Sequence, residues 1–108
     1  MNSLPDAVIT YFDISNGADA SRVGDCFATD ATVTDEEQTH IGTDAIEQWQ
    51  RQVREASTFK VTPLESSTVG DHLTVKTRVE GDFPGSPIEL NHLFVLEDNK
   101  IRALEIQS

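Results

Sequence analysis

The sequence predicts an α+β fold, with three N-terminal helices packed on a curved, mainly antiparallel sheet. Three observations predict it. Residues 4–56 hold stretches whose apolar side chains recur at helical spacing. Residues 57–107 alternate apolar and polar side chains, broken by turn residues. The helices precede the long strands instead of alternating with them, which segregates them to one side of an antiparallel sheet. At 108 residues the chain reads as one domain, residues 1–108, large enough for a single core.

The elements follow in order. Leu4, Ala7, Val8, Tyr11 and Phe12 form one apolar stripe, so the first helix is expected over 4–14. Ser3 suits its N-cap, Pro5 its first turn, and Asn16-Gly17 its end. A short second helix over 19–28 buries Val23, Cys26 and Phe27. A short strand, Ala31 to Asp35, follows, then a second one at 39–42. Thr43 caps a third helix that runs to about Ala56, with Ala45, Ile46, Trp49 and Val53 on its apolar stripe. Four antiparallel strands complete the chain, over 57–67, 72–80, 88–97 and 100–107. Gly70-Asp71 and Asp98-Asn99 supply tight turns, and 82–87 is a loop by its Pro and Gly content.

Strand 88–97 is apolar on both faces: Leu93 and Val95 share one with Asn91, while Leu90, Phe94 and Leu96 share the other with His92. Helices cover one face. A second copy of the chain is the simplest cover for the other, so a homodimer through the outer sheet face is expected, with His92 directed towards it.

Composition narrows the partners. The net charge of −11, from 19 acidic and 8 basic residues, argues against nucleic-acid or anionic-membrane surfaces. No apolar run approaches the length of a membrane span, and MNSLPDAVITYF carries no basic leader, so a cytoplasmic location is expected. The single Cys26 reads as a buried core thiol. His40, His72 and His92 lack metal-ligand spacing, and no Gly-rich phosphate loop is present, so neither metal nor cofactor is expected.

Asp35 raises the functional question. Strand alternation puts it on the face of Ala31 and Val33, aimed inward, although Asp is also common where a strand turns. Glu36 and Glu37 follow at once; they either raise its pKa or mark a wet strand end. Asn91 must find backbone partners or face a cavity, because a buried unpaired amide costs about 1–3 kcal/mol. Tyr11 reads as a buried core tyrosine with a hydrogen-bonded hydroxyl or as a functional hydroxyl, and Trp49 as plain core or as pocket wall.

The element order, the phrase CFATDATVTD and the run IGTDAIEQW resemble the nuclear transport factor 2-like superfamily, across nearly the whole chain. That superfamily includes SnoaL-like polyketide cyclases and ketosteroid isomerase. Tyr11 and Asp35 stand 24 positions apart, like the oxyanion-hole tyrosine and catalytic base of ketosteroid isomerase. Asn91 stands where that enzyme has its second oxyanion-hole donor. The resemblance implies a cone with a pocket at its open end. It implies Asp35 as a base moving a proton alpha to a carbonyl, with Tyr11 and Asn91 as donors to the enolate oxygen. The pocket would take a neutral apolar small molecule, lined by Phe27, Val33, Trp49, Phe59, Val61, Leu73, Val75, Leu93, Leu104 and Ile106. His40 would lie near its mouth. Two rivals remain. In one, Asp35 and Asn91 hold a water for hydratase, epoxide-hydrolase or cyclase-type chemistry. In the other, the domain binds a ligand or dimerises without catalysis.

Overall fold

The computed structural model describes residues 4–35, 37–56 and 58–107. Ser3, Glu36 and Ser57, each given a place by the sequence, lie outside the described residues.

The elements run α1 (Asp6–Ser15), a single 3-10 turn (Ala20–Arg22), α2 (Val23–Cys26), β1 (Phe27–Asp35), β2 (Gln38–Ile41), α3 (Thr43–Ala56), β3 (Phe59–Val69), β4 (His72–Gly81), β5 (Ile88–Glu97) and β6 (Lys100–Gln107). Helix α1 begins two residues later than expected. Pro5 is its extended N-cap, and its carbonyl accepts from the N–H groups of Val8 and Ile9 at 3.0 Å. Asn16 and Gly17, the latter with φ of 117°, end it as expected. The second helical segment is shorter than the sequence suggested. Asp19 caps the 3-10 turn through Ser21 N–H, Gly24 weakens α2, and β1 takes over at Phe27. Helix α3 starts at Thr43 itself, so Thr43 is its first residue and not its cap.

The sheet has six strands in the order β2-β1-β6-β5-β4-β3. Strands β3 to β6 form the expected antiparallel meander, and β1 joins it parallel to β6. Register shifts at Phe27/Thr32, Pro63/Glu65 and Val95/Leu96 bend the sheet around the helices. Pro63 is tolerated because β3 is an edge strand, where a missing N–H breaks no central ladder. The hairpin turns match their residues: Gly70 has φ of 60°, and Asp98 and Asn99 have 52° and 65°.

All three helices lie on the concave face. There Ala7, Val8, Tyr11 and Phe12 of α1 join Leu73, Val75, Phe94, Ile101 and Leu104 in one core. Tyr11 and Phe12 meet Phe94 edge-on, with ring centroids 5.6 and 6.0 Å apart. Asn16 ties the end of α1 to the edge strand. Its side-chain amide donates to Val61 O at 2.9 Å, and its carbonyl accepts from Val61 N–H at 2.7 Å. Arg54 of α3 adds a bond to Ser15 O and lies over the Phe59 ring, 5.2 Å from its centroid.

The two faces of β5 are the reverse of the expected assignment. His92 is buried opposite Val75 and Ile106, on the concave side with Phe94. Asn91 lies opposite Lys76 and Gln107, and Leu93 opposite Thr74 and Glu105, so both belong to the convex side. Hydrophobicity alone could not decide this, because both faces of the strand are apolar. Packing against α1 marks the inward face instead: the rings of His92 and Phe94 both meet Tyr11 and Phe12.

Candidate functional site

The concave face is not filled along its whole length. Beyond the packed aromatic cluster lies a cavity of about 200 Å³. Its wall takes Tyr11 and Ser15 from α1, Asp35 from β1, and Trp49, Gln50 and Val53 from α3. The sheet supplies Phe59, Val61, Val79, Ile88, Leu90, His92 and Ile106, and the loop before β5 supplies Phe83. That loop is held by Thr58 N–H on Asp82 at 2.9 Å and by Gly81 N–H on Ser86 at 2.8 Å. Next to the cavity a surface cleft shares Asp35, Ile88, Leu90 and Ile106 with it and adds Glu37 and Glu105.

Asp35 therefore stands between cavity and cleft, half-buried, as the alternation of β1 suggested. Its carboxylate accepts the Trp49 indole N–H at 3.3 Å. Trp49 is in turn stacked on His40, with centroids 5.8 Å apart and 29° between the planes. The spacing along α3 explains this pair: Ile46 turns fully into the core, and Trp49, three residues on, reaches the end of β1 from the same helix face.

Tyr11 is deeply buried. Burial raises its pKa well above the ordinary phenol value; a hydrogen bond with Ser15 opposes the rise, and the nearby Asp35 charge adds to it. The hydroxyl thus stays protonated at any physiological pH. Ser15 also accepts from Gln50 Nε2 at 3.4 Å, so Tyr11, Ser15 and Gln50 make a polar seam between α1 and α3.

Of the thirteen residues named from sequence as catalytic or lining, the structure brings six to the cavity: Tyr11, Asp35, Trp49, Phe59, Val61 and Ile106. Phe27, Val33, Leu73, Val75 and Leu104 are solid core instead. They point inward as expected but lie deeper, where α1 and α2 leave no space. Asn91 and Leu93 are on the convex face, so neither can touch a ligand held in the cavity. Sequence reasoning missed Ser15, Gln50, Val53, Val79, Phe83, Ile88, Leu90 and His92. Gln50 and Ser15 carried a readable signal, since polar residues on apolar helix stripes must find partners. For His92, burial lowers the imidazole pKa to about 4.

Among the described residues no helix is long and apolar enough to cross a membrane, and no group of three or more His, Cys, Asp or Glu could hold a metal ion.

Comparisons with known proteins agree with this architecture. The SnoaL-like domain family matches residues 8–104. The crystal structure of protein SMa1630 from Sinorhizobium meliloti, described as a candidate polyketide cyclase, is 41% identical. It covers 96% of this chain and 95% of its own, with a TM-score of 0.91. A Catenulispora acidiphila protein with a ketosteroid isomerase-like fold, crystallised with trimethylamine, is 21% identical, with a TM-score of 0.86 over 98% of this chain and 87% of its own. A Mycobacterium tuberculosis LEH-like epoxide hydrolase is 12% identical, with a TM-score of 0.75 over 94% of this chain and 79% of its own. The comparison with curated proteins found no match. With its six-stranded open sheet, three helical segments on the concave face and a match over most of its length, this chain belongs to the SnoaL-like domain family, within the nuclear transport factor 2-like superfamily.

Proposed function

We propose that the protein is a small-molecule acid–base enzyme in which Asp35 moves a proton at a carbon next to a carbonyl. One observation carries this reading. Among the described residues, Asp35 is the only carboxylate on the wall of a mainly apolar cavity that also holds Tyr11, a hydroxyl kept protonated by burial. In the reaction, the C–H proton passes to a carboxylate oxygen of Asp35 and the electron pair moves into the carbonyl to give an enolate. Tyr11 donates a hydrogen bond to the enolate oxygen, and Asp35 returns the proton to carbon. The S. meliloti relative is described as a candidate polyketide cyclase. Ring closure by carbon–carbon bond formation starts from the same enolate, which supports the assignment.

Cavity size sets the substrate class. Drug-sized ligands occupy pockets of roughly 300–1,000 Å³, and about 200 Å³ is smaller. The substrate of this reading is a compact ketone and not a four-ring steroid. The rival that activates water between Asp35 and Asn91 has lost its second anchor, because Asn91 lies on the convex face. A homodimer through that convex face, with Leu93 and Val95 at its centre, remains part of the proposal; the mass of the protein in solution tests it.

The catalytic test is deuterium exchange of a panel of compact ketones in D2O, such as cyclohexanone and acetoin, followed by proton NMR. Wild type should exchange the α-protons of at least one member about 10²–10⁴-fold faster than Asp35→Asn, the usual contribution of a positioned base. Equal rates for the whole panel would end this reading. Tyr11→Phe should slow the same substrate by about 10²-fold, as loss of one oxyanion donor does.

A further inference from the structure

The cavity contains a buried imidazole that neither Asp35 nor Tyr11 uses. His92 is 3% exposed, and its ring contacts Tyr11, Phe12 and Phe94 at centroid distances of 5.8, 5.4 and 6.1 Å. Its Nδ1 lies 3.4 Å from Thr77 Oγ1. Thr77 is fully buried on β4, and its hydroxyl donates to Leu90 O at 3.1 Å. A hydroxyl has one proton to give. With that proton on a carbonyl, which can only accept, Thr77 Oγ1 can meet His92 only as an acceptor. Nδ1 must then carry the imidazole proton, and Nε2 is left with a lone pair. Among the described residues no enclosed side-chain nitrogen or oxygen lacks a partner. Nε2, which bonds nothing among those residues, therefore opens onto the cavity that His92 lines.

We propose that His92 is a ligand-binding residue whose tautomer is locked by Thr77 and Leu90, so that the cavity offers a fixed acceptor and selects neutral ligands with an O–H or N–H donor. The chemistry is the opposite of a second oxyanion-hole donor. Burial keeps the ring neutral at pH 7, so the acceptor persists at physiological pH. The ligand would place its donor group on Nε2 and its reacting carbon nearer Asp35. An ether or plain hydrocarbon at that position would leave Nε2 without a partner in an apolar wall, which is a penalty the hydroxyl ligand avoids. This deepens the proposed function, because it rests on the cavity being the substrate site.

Two measurements test it without depending on turnover. The first is the long-range proton–nitrogen NMR spectrum of the histidine rings at pH 7, with His92 assigned by its absence from His92→Phe. The expected state is protonated Nδ1 and bare Nε2, unchanged in Thr77→Ser and shifted towards protonated Nε2 in Thr77→Val. Protonated Nε2 in wild type, or a tautomer indifferent to Thr77→Val, overturns the inference. The second is a binding titration with phenol and its methyl ether anisole, followed by NMR shifts of the cavity residues. Phenol should bind about tenfold more tightly than anisole, and His92→Phe should abolish the preference. Equal binding of the pair to wild type also overturns it. The deuterium-exchange assay is separate. Exchange without a phenol preference removes the role of His92 and keeps that of Asp35, and the reverse result removes Asp35 alone.

Discussion

The two halves of the concave face use the same strands in opposite ways. In one half Leu73 and Val75 of β4, Phe94 of β5 and Ile101 and Leu104 of β6 pack against α1 without a gap. In the other half, two to four residues further along the same strands, Val79, Leu90 and Ile106 face open space. The polar groups divide with them. Tyr11, Ser15, Asp35, Gln50 and His92 all reach the open half, whereas the filled half packs hydrocarbon, aromatic rings and the Cys26 thiol, with the buried Thr77 hydroxyl between the two on β4. The difference comes from the helices and not from the sheet. Tyr11 and Phe12 plug the filled half with rings, and one turn later α1 offers only the small Ser15 before ending at Asn16.

This comparison predicts an asymmetry in truncation. Phe94→Ala should cost about 3–5 kcal/mol of stability, because a ring lost from close packing leaves a void. Leu90→Ala on the same strand already borders a cavity and should cost roughly 1–2 kcal/mol, close to the transfer of its lost methyl groups alone. Urea unfolding of the two variants measures both. Equal losses would mean the open half is packed as tightly as the filled one.

Acid should find the open half next. His92 has a folded pKa of about 4 against an ordinary 6.5, lowered by burial. The unfolded chain therefore takes up the proton first, and stability falls as pH drops from about 6.5 to about 4. Above 6.5 the contribution is complete. Over the whole interval the loss is about 3 kcal/mol, less if water enters the cavity with the proton. Among the described residues, Tyr11 and Asp35 are the other titratable groups on that wall. Comparing the pH dependence of wild type with His92→Phe isolates the histidine: the variant should lose that part of the slope.

The open half also depends on a close backbone approach. A Cβ at Gly81 would collide with the Thr58 carbonyl oxygen and with Phe59. Gly81→Ala must push β4 away from β3 beside the loop that carries Phe83, at a cost of about 1–3 kcal/mol. Thermal unfolding measures this, and an unchanged Tm would show that the strand ends are slack.

The sequence made the sheet legible because periodicity, turn residues and element order agree. Strands β4, β5 and β6 lie within a residue of where alternation put them. On β4, where one face is polar, the side chains alternate as the sequence reads, with Leu73, Val75, Thr77 and Val79 buried. The inward and outward assignment reversed on β5, where Asn91, Leu93 and Val95 compete with Leu90, His92 and Phe94 and hydrophobicity favours neither face. Asp35 was readable because a carboxylate in phase with Ala31 and Val33 breaks a local rule. The depth of the cavity was not readable. Val75 and Val79 are alike in sequence, and only the position of α1 above them decides that one is core and the other wall.

Cys26 gives the mildest probe of the filled half. It is fully buried, its thiol points to Val23 O at 3.6 Å, and burial pushes its pKa up to about 12. At pH 8 only about one thiol in 10⁴ would be ionised even if reagent could reach it. Iodoacetamide should therefore modify the native protein only through opening of the domain, and the rate should rise with urea in step with unfolding. Phenol bound in the open half stabilises the folded state and should slow the labelling by the factor it adds to the folding equilibrium. A labelling rate in native buffer as fast as in denaturant would mean that the filled half is not closed. The two halves would then differ in polarity alone and not in packing.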